Sequence, residues 1–427
     1  MLAASLFGLF DGIFVGRILG ETAFAAVNFA MPIVYINFAL ADLIGVGSSV
    51  PISIALGRGS DEEANNYFSC ACVLIFLTGL FMGAVLFLSA PWLLRLMGAS
   101  GELLSLSATY IRVYALCSPL TTIVFAMDNY LRICGKIKTS MMLNILMSLV
   151  ILVIEFCLLT VAGMGVAGAA FGTSLGFFIA AMIAVLMFAR GGLQLKFRRP
   201  AFSLKLIGRI VASGAPNFLN TVSGRFTSIV MNMVLLRIGG QDGVTVFGVL
   251  MYFHEMVQPI LYGVCDSLQP AIGYNYGAGQ KKRVQKIEIC CLAAGAAVSL
   301  SAAAVMFFAP ELLASVFVKG GSPELNQMTI GALRIFGMTF LIKWFGFSIQ
   351  SYLIALNEAL KASILSVSNA FVFPILLIAV LYPLGLNGMW LNMPVTSLLV
   401  ALLAVFLLRR HQVQWRQQEH NGTRSPV

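Results

Sequence analysis

The feature that most constrains this chain is the recurrence of apolar runs about as long as a lipid bilayer is thick. A helix rises ~1.5 Å per residue, so crossing a ~30 Å hydrocarbon core takes roughly 20 residues. Such runs recur near 1–19, 30–57, 67–96, 105–134, 139–162 and 165–189. They recur again near 206–238, 244–276, 286–317, 327–356, 361–382 and 387–408. Charged residues make up 10% of the 427, against 59% hydrophobic. A soluble domain carries about 25% charged residues, so this chain has too few to clothe a water-facing surface. The reading is an all-α integral membrane protein of twelve transmembrane helices.

The formal net charge of +10 does not indicate nucleic acid, because the Lys and Arg residues sit in short connections rather than in a stripe with aromatics. Connections on one side carry 19 of them, including Arg132, Lys136, Arg198, Arg199, Lys281 and Arg409. The other side carries six: Arg17, Arg95, Arg112, Arg237, Lys319 and Arg334. Lys and Arg accumulate in cytoplasmic loops, so the linker at 190–205 and both termini are expected in the cytoplasm. The two cations left over, Arg225 and Lys343, fall inside helices. The eight cysteines lie in apolar runs with no C-x-x-C pair, which suits packing residues better than a metal site.

The sequence repeats internally. GRILGETAFAAV (16–27) resembles LRIGGQDGVTVF (236–247), and YIRVYALCSPL (110–120) resembles ALRIFGMTFLI (332–342). Pro51 and Pro270 each precede a glycine pair, Gly57 and Gly59 in one half, Gly277 and Gly279 in the other, and GTSL (172–175) matches VTSL (395–398). The shifts stay near 220, and six helices per repeat give both halves one orientation. Parallel repeats of this kind are a secondary-transporter architecture, with the site near the midplane. The expected domains are an N-terminal bundle over 1–189, the linker over 190–205, a C-terminal bundle over 206–408 and a tail over 409–427. By the repeat, the first helix lacks about four turns, so the true start is expected upstream.

Ionisable residues inside membrane helices are expensive and mark function by default. Asp11 and Glu155 fall ~12 and ~10 Å from the outer end of their helices, a matching depth at which two acids could share a proton or hold a sodium ion. Their repeat mates are Met231 and Leu377. Asp42 lies near the midplane of the second helix. Coupling-ion binding is assigned to Asp11, Glu155 and Asp42, each with a helix-packing carboxylate as its alternative. Arg225, His254, Glu255 and Lys343 form a second group near the midplane, either lining a substrate cavity or forming a charge-balanced structural cluster. No H-E-x-x-H and no Walker phosphate loop is present, so no enzyme or nucleotide-driven pump is indicated. No cofactor is expected beyond the coupling ion, H⁺ or Na⁺. The expected partners are lipid and small-molecule substrates, with no nucleic acid, and the chain is expected to be a monomer.

At these residues the chain resembles the multidrug and toxic compound extrusion (MATE) family. FDGIFVGRILG (10–20) resembles its first-helix motif, which makes Asp11 the motif aspartate. PISIALGRGSDEEAN (51–65) and LQPAIGYNYGAGQKKRV (268–284) resemble the ends of its second and eighth helices, and GMGVAGAAFGTSL (163–175) the start of its sixth. The resemblance implies a V-shaped pair of six-helix bundles that exchange protons or sodium for cationic or amphipathic drugs by alternating access. Glu155 falls where many members carry Asp or Asn. Lys343 falls where some members carry an acid, and Arg225 lies near another such place, so the resemblance carries no acidic cation site into the C-terminal half. A lipid-linked precursor flippase on a related fold, which would need a more cationic groove, and a non-transporting membrane scaffold are the alternatives.

Overall fold

The structure, a computed structural model, describes residues 14–317 and 322–420. The expected first helix lies largely outside them, and Val15–Leu19 is its described end. The helices that follow are α1 (Glu21–Gly57), α2 (Asp61–Leu96), α3 (Gly101–Thr121), α4 (Ile123–Ile133), α5 (Ile137–Thr160) and α6 (Gly165–Ala189). Then come α7 (Leu204–Cys265), α8 (Gln269–Gly277), α9 (Lys281–Phe308), α10 (Pro310–Phe317), α11 (Pro323–Ala355), α12 (Ala359–Val367), α13 (Phe373–Leu381) and α14 (Gly385–His420). In hydrocarbon no water serves the backbone, so a spanning segment must close its own hydrogen bonds, and helices do so.

Among the described residues, nine helical stretches are long and apolar enough to span a bilayer. Two of these, Leu204–Gly277 and Ala359–Val413, are each long enough to cross twice. They are broken by left-handed backbone at Gly240 (φ 59°) and Gly385 (φ 60°) respectively. Nine stretches with two such breaks give eleven crossings after the first predicted helix, in agreement with the twelve read from sequence. Large apolar side chains face outward along these helices, Phe81, Leu88, Val161 and Phe308 among them, as a lipid-solvated surface requires.

The repeat seen in the sequence is also written into the backbone. Gly59 and Gly279 (φ 77° and 71°) end their helices with the same cap. Ser60 N donates to Ala55 O and Gln280 N to Asn275 O, at 2.9 and 2.8 Å. This is the left-handed turn that satisfies terminal carbonyls. Gly135 (φ 73°) recurs at Asn357 (φ 61°), and asparagine is among the few residue types besides glycine that enter this region.

By internal contacts the chain forms two compact units. The first runs through Phe218 and takes in Gly273–Gln280; the second comprises Leu219–Ile272 and the chain from Lys281 onward. The first is built around Phe68, Met127, Tyr130 and Phe188 at one end and Tyr114, Ile111 and Leu94 at the other. The second is built around Leu235, Leu250, Phe336 and Phe340.

The polar linker is not a free tether. Leu193 and Leu195 are buried in the core of the first unit. Lys196 N donates to Asn65 Oδ1 (2.6 Å), Arg198 N to Ser69 Oγ (2.9 Å) and Ala201 N to Asn66 Oδ1 (2.8 Å). Asn66 Nδ2 returns a bond to Ala201 O at 3.1 Å. Three polar residues on the first turns of α2 thus hold the linker as a strap.

Candidate functional site

In the first unit the site is built on Glu155. Its helix, α5, packs on α6 along a row of glycines one turn apart. A Cβ on Gly172 would stand 2.9 Å from Glu155 Cα, and one on Gly176 would stand 2.1 Å from Ile151 Cγ1. Gly168 faces Leu158 in the same way. Small residues let membrane helices approach backbone to backbone, and here that approach buries Glu155 completely. The same row contains GTSLG (172–176), which matches the letters of a nucleophile-elbow motif. It lies inside a continuous helix with Ser174 buried, without the strand-to-helix turn that exposes such a serine.

Asp42 is half-buried on α1. It lies beside Leu43, whose carbonyl oxygen would be only 1.9 Å from a Cβ on Gly214 of α7. Asp11 lies outside the described residues, so its expected pairing with Glu155 is carried by the sequence alone. Two other acids are structural. Asp128 on α4 accepts hydrogen bonds from Arg132 and Ser140, and from Asn144 Nδ2 at 2.6 Å, tying α4 to α5. Asp266 accepts from Gln269 Nε2 (2.9 Å) and Ser351 Oγ (3.0 Å).

The second unit encloses a cavity of about 160 Å³. His254 on α7 and Lys343 on α11 line it, and Lys343 Nζ meets His254 Nε2. Glu255 is exposed and is not among the lining residues; it lies within electrostatic range of Lys343, as Arg225 does of His254. The structure therefore separates the expected cluster: His254 and Lys343 face the cavity together, while Arg225 and Glu255 lie outside it. The rest of the polar lining is neutral, including Asn220, Gln258, Gln350, Asn369 and Asn392. Sequence reading missed these amides because it searched for charge, and an isolated Asn or Gln in an apolar run carries no comparable signal.

One wall of the cavity is shaped by a proline. Pro374 has no N–H to give the carbonyl four residues back, and the preceding turn widens to a π-helix over Ser368–Val372. Thr227 Oγ1 donates to the freed Ala370 carbonyl at 2.5 Å, and Asn392 Nδ2 donates to Pro374 O at 2.9 Å. Asn369 is thereby turned to the lining.

One buried acid was also missed. Glu288 sits two turns into α9, 7% exposed, and neither carboxylate oxygen has a hydrogen-bond partner among the described residues. It stands beside the basic start of that helix (Lys281, Lys282, Arg283, Lys286), where an acid carries no signal of burial.

An all-α, multi-pass membrane protein with an internal parallel repeat, buried acids within its helices and a polar cavity in its second unit has the architecture of a secondary transporter. The chain belongs to the MatE family, the MATE multidrug efflux transporters, whose model matches residues 1–157 and 216–380. It is 26% identical over 424 residues to the multidrug export protein MepA of Staphylococcus aureus (strain NCTC 8325 / PS 47), covering 96% of this chain and 91% of that one. The MepA of Staphylococcus saprophyticus is 24% identical over the same shares. Solved structures share the fold. One is a MATE transporter in complex with MaL6 (TM-score 0.90, 23% identity, 98% of this chain and 94% of that one). Another is a MOP-superfamily transporter from Pyrococcus furiosus, described as having a binding pocket of reverse polarity (TM-score 0.89, 24% identity, 96% and 92%).

Proposed function

We propose that this protein is an ion-coupled antiporter that exports small cationic or amphipathic organic compounds across the cytoplasmic membrane by alternating access. The observation that carries the coupling assignment is Glu155, wholly buried at the glycine-lined α5–α6 contact. A carboxylate so placed is costly as a bare ion, and neutralising it with a proton or sodium removes that cost. Loading and unloading at Glu155, with Asp11 as its expected partner and Asp42 on α1 as a further expected ligand, would bias the first unit between two packings. A ligand shifts such an equilibrium only by its difference in affinity for the two states. The family relationship supports export, and the excess of basic residues on one side of the chain supports termini in the cytoplasm.

The test is efflux of a fluorescent amphipathic compound from proteoliposomes under an imposed pH gradient or an imposed sodium gradient. One of the two gradients should drive flux, and Glu155→Gln and Asp11→Asn should each lower it at least about tenfold, the scale of a lost charge-dependent contact. Full flux in both variants would move the coupling site elsewhere. Flux indifferent to both gradients would end the antiport reading.

A further inference from the structure

The cavity of the second unit has a polarity that the export reading does not use. Its lining holds one ammonium, Lys343, and one imidazole, His254, and no carboxylate. Lys343 Nζ and His254 Nε2 meet there, and neither group carries a negative charge. That contact contributes no counter-charge. Of the charged neighbours outside the lining, Arg225 faces His254, Glu255 faces Lys343 from an exposed position, and Asp266 and Glu255 both lie in electrostatic range of Tyr262. None of these carboxylates lines the cavity, and Lys343 is the one lysine or arginine among its lining residues. The same cavity is lined by neutral donors and acceptors, Asn220, Gln258 and Gln350, and by apolar faces, Trp390, Phe336 and Phe347. The Phe340 ring lies 5.9 Å from Lys343 Nζ.

We propose that this cavity is a binding site for an organic anion: a compact apolar body bearing one carboxylate or comparable oxyanion. Lys343 takes the anionic group, the amides bind its remaining lone pairs, and the aromatic faces hold the body. The inference rests on the export reading only for the claim that the bound anion is cargo, and within that reading it selects the amphipathic class over the cationic one; the charge preference of the site stands apart from it.

The test uses three naphthalene derivatives of one shape and different charge: the carboxylate, the neutral carboxamide and the cationic amidine. Their dissociation constants are measured on the purified full chain in detergent. The carboxylate should bind at least about tenfold more tightly than the amidine, with the carboxamide between, as expected for a charge-assisted contact in a half-buried site. Lys343→Arg should keep this order, Lys343→Gln should erase it and Lys343→Glu should reverse it, with carboxamide binding reporting that each variant is folded. An amidine that binds wild-type protein as well as the carboxylate overturns the proposal whether or not any variant folds. So does a preference that survives Lys343→Gln. Charge-selective binding without gradient-driven export would sink the export reading alone. Export without charge selectivity would sink the anion site alone.

Discussion

Among the acids, residue identity predicts little and surroundings decide. Asp128, with three donors, is a clamp between two helices. Glu155 lies wholly buried between helices. Glu358, just outside the membrane-spanning stretch, shows a third use. It accepts from His411 Nδ1 at 3.0 Å and pairs with Lys361 Nζ at 3.2 Å. The His411 hydrogen bond first, then Lys361, holds its carboxyl below the usual range against the opposing effect of burial. A carboxyl with a depressed folded pKa stabilises the protein above its unfolded value of ~4.3 and loses that contribution as pH falls through the folded value. The melting temperature of wild-type protein should therefore fall more steeply than that of Glu358→Gln as pH drops below ~4.3, which a pH series of thermal melts in detergent would measure. Parallel curves for the two proteins would show that the contact stores no stability.

At the scale of elements, α1 and α7 touch backbone to backbone within the first unit. A Cβ on Gly47 would stand 2.1 Å from Ile210 O, and no flexible side chain is there to yield. Gly47→Val should cost about 1–3 kcal/mol, the usual penalty of overpacking, seen as a lowered melting temperature. Gly208→Ala on the same α7, with nothing within 4 Å, should be neutral; equal losses in both would deny the close crossing. The linker makes a similar point. Its charges marked it as a connection, but its hydrogen bonds to Asn65, Asn66 and Ser69 could not be foreseen, because an extended strap has no periodicity to read. Trypsin should cut the wild-type chain slowly after Lys196 and Arg198 and the Asn65→Ala/Asn66→Ala variant several-fold faster. Equal rates would mean that the strap is not held.

At the scale of the whole molecule, the spans, their number and their repeat were legible because lipid enforces length and hydropathy directly. The repeat was legible at Gly59 with Gly279, where the backbone needs left-handed turns, while the match of Gly135 with Asn357 emerged only from the backbone. Individual sites were less legible. The sequence pointed to Glu155, but its burial depends on glycines from another helix. Arg225, His254, Glu255 and Lys343 read as one cluster, yet only two of them line the cavity. The amides of that cavity were invisible until the fold brought them together. The two halves have thus diverged in chemistry while keeping one backbone pattern, with Glu155 buried between helices in the first and a cavity lined by Lys343 and His254 in the second. Coupling is accordingly predicted to reside in the first unit and to be separable from substrate binding.

The measurement that tests this most directly compares two modes of transport in Glu155→Gln proteoliposomes. Gradient-driven accumulation of substrate should be lost, while exchange of labelled for unlabelled substrate, which needs no coupling ion to load and unload, should persist. Loss of both in folded protein, or retention of both, would contradict the placement of coupling at Glu155.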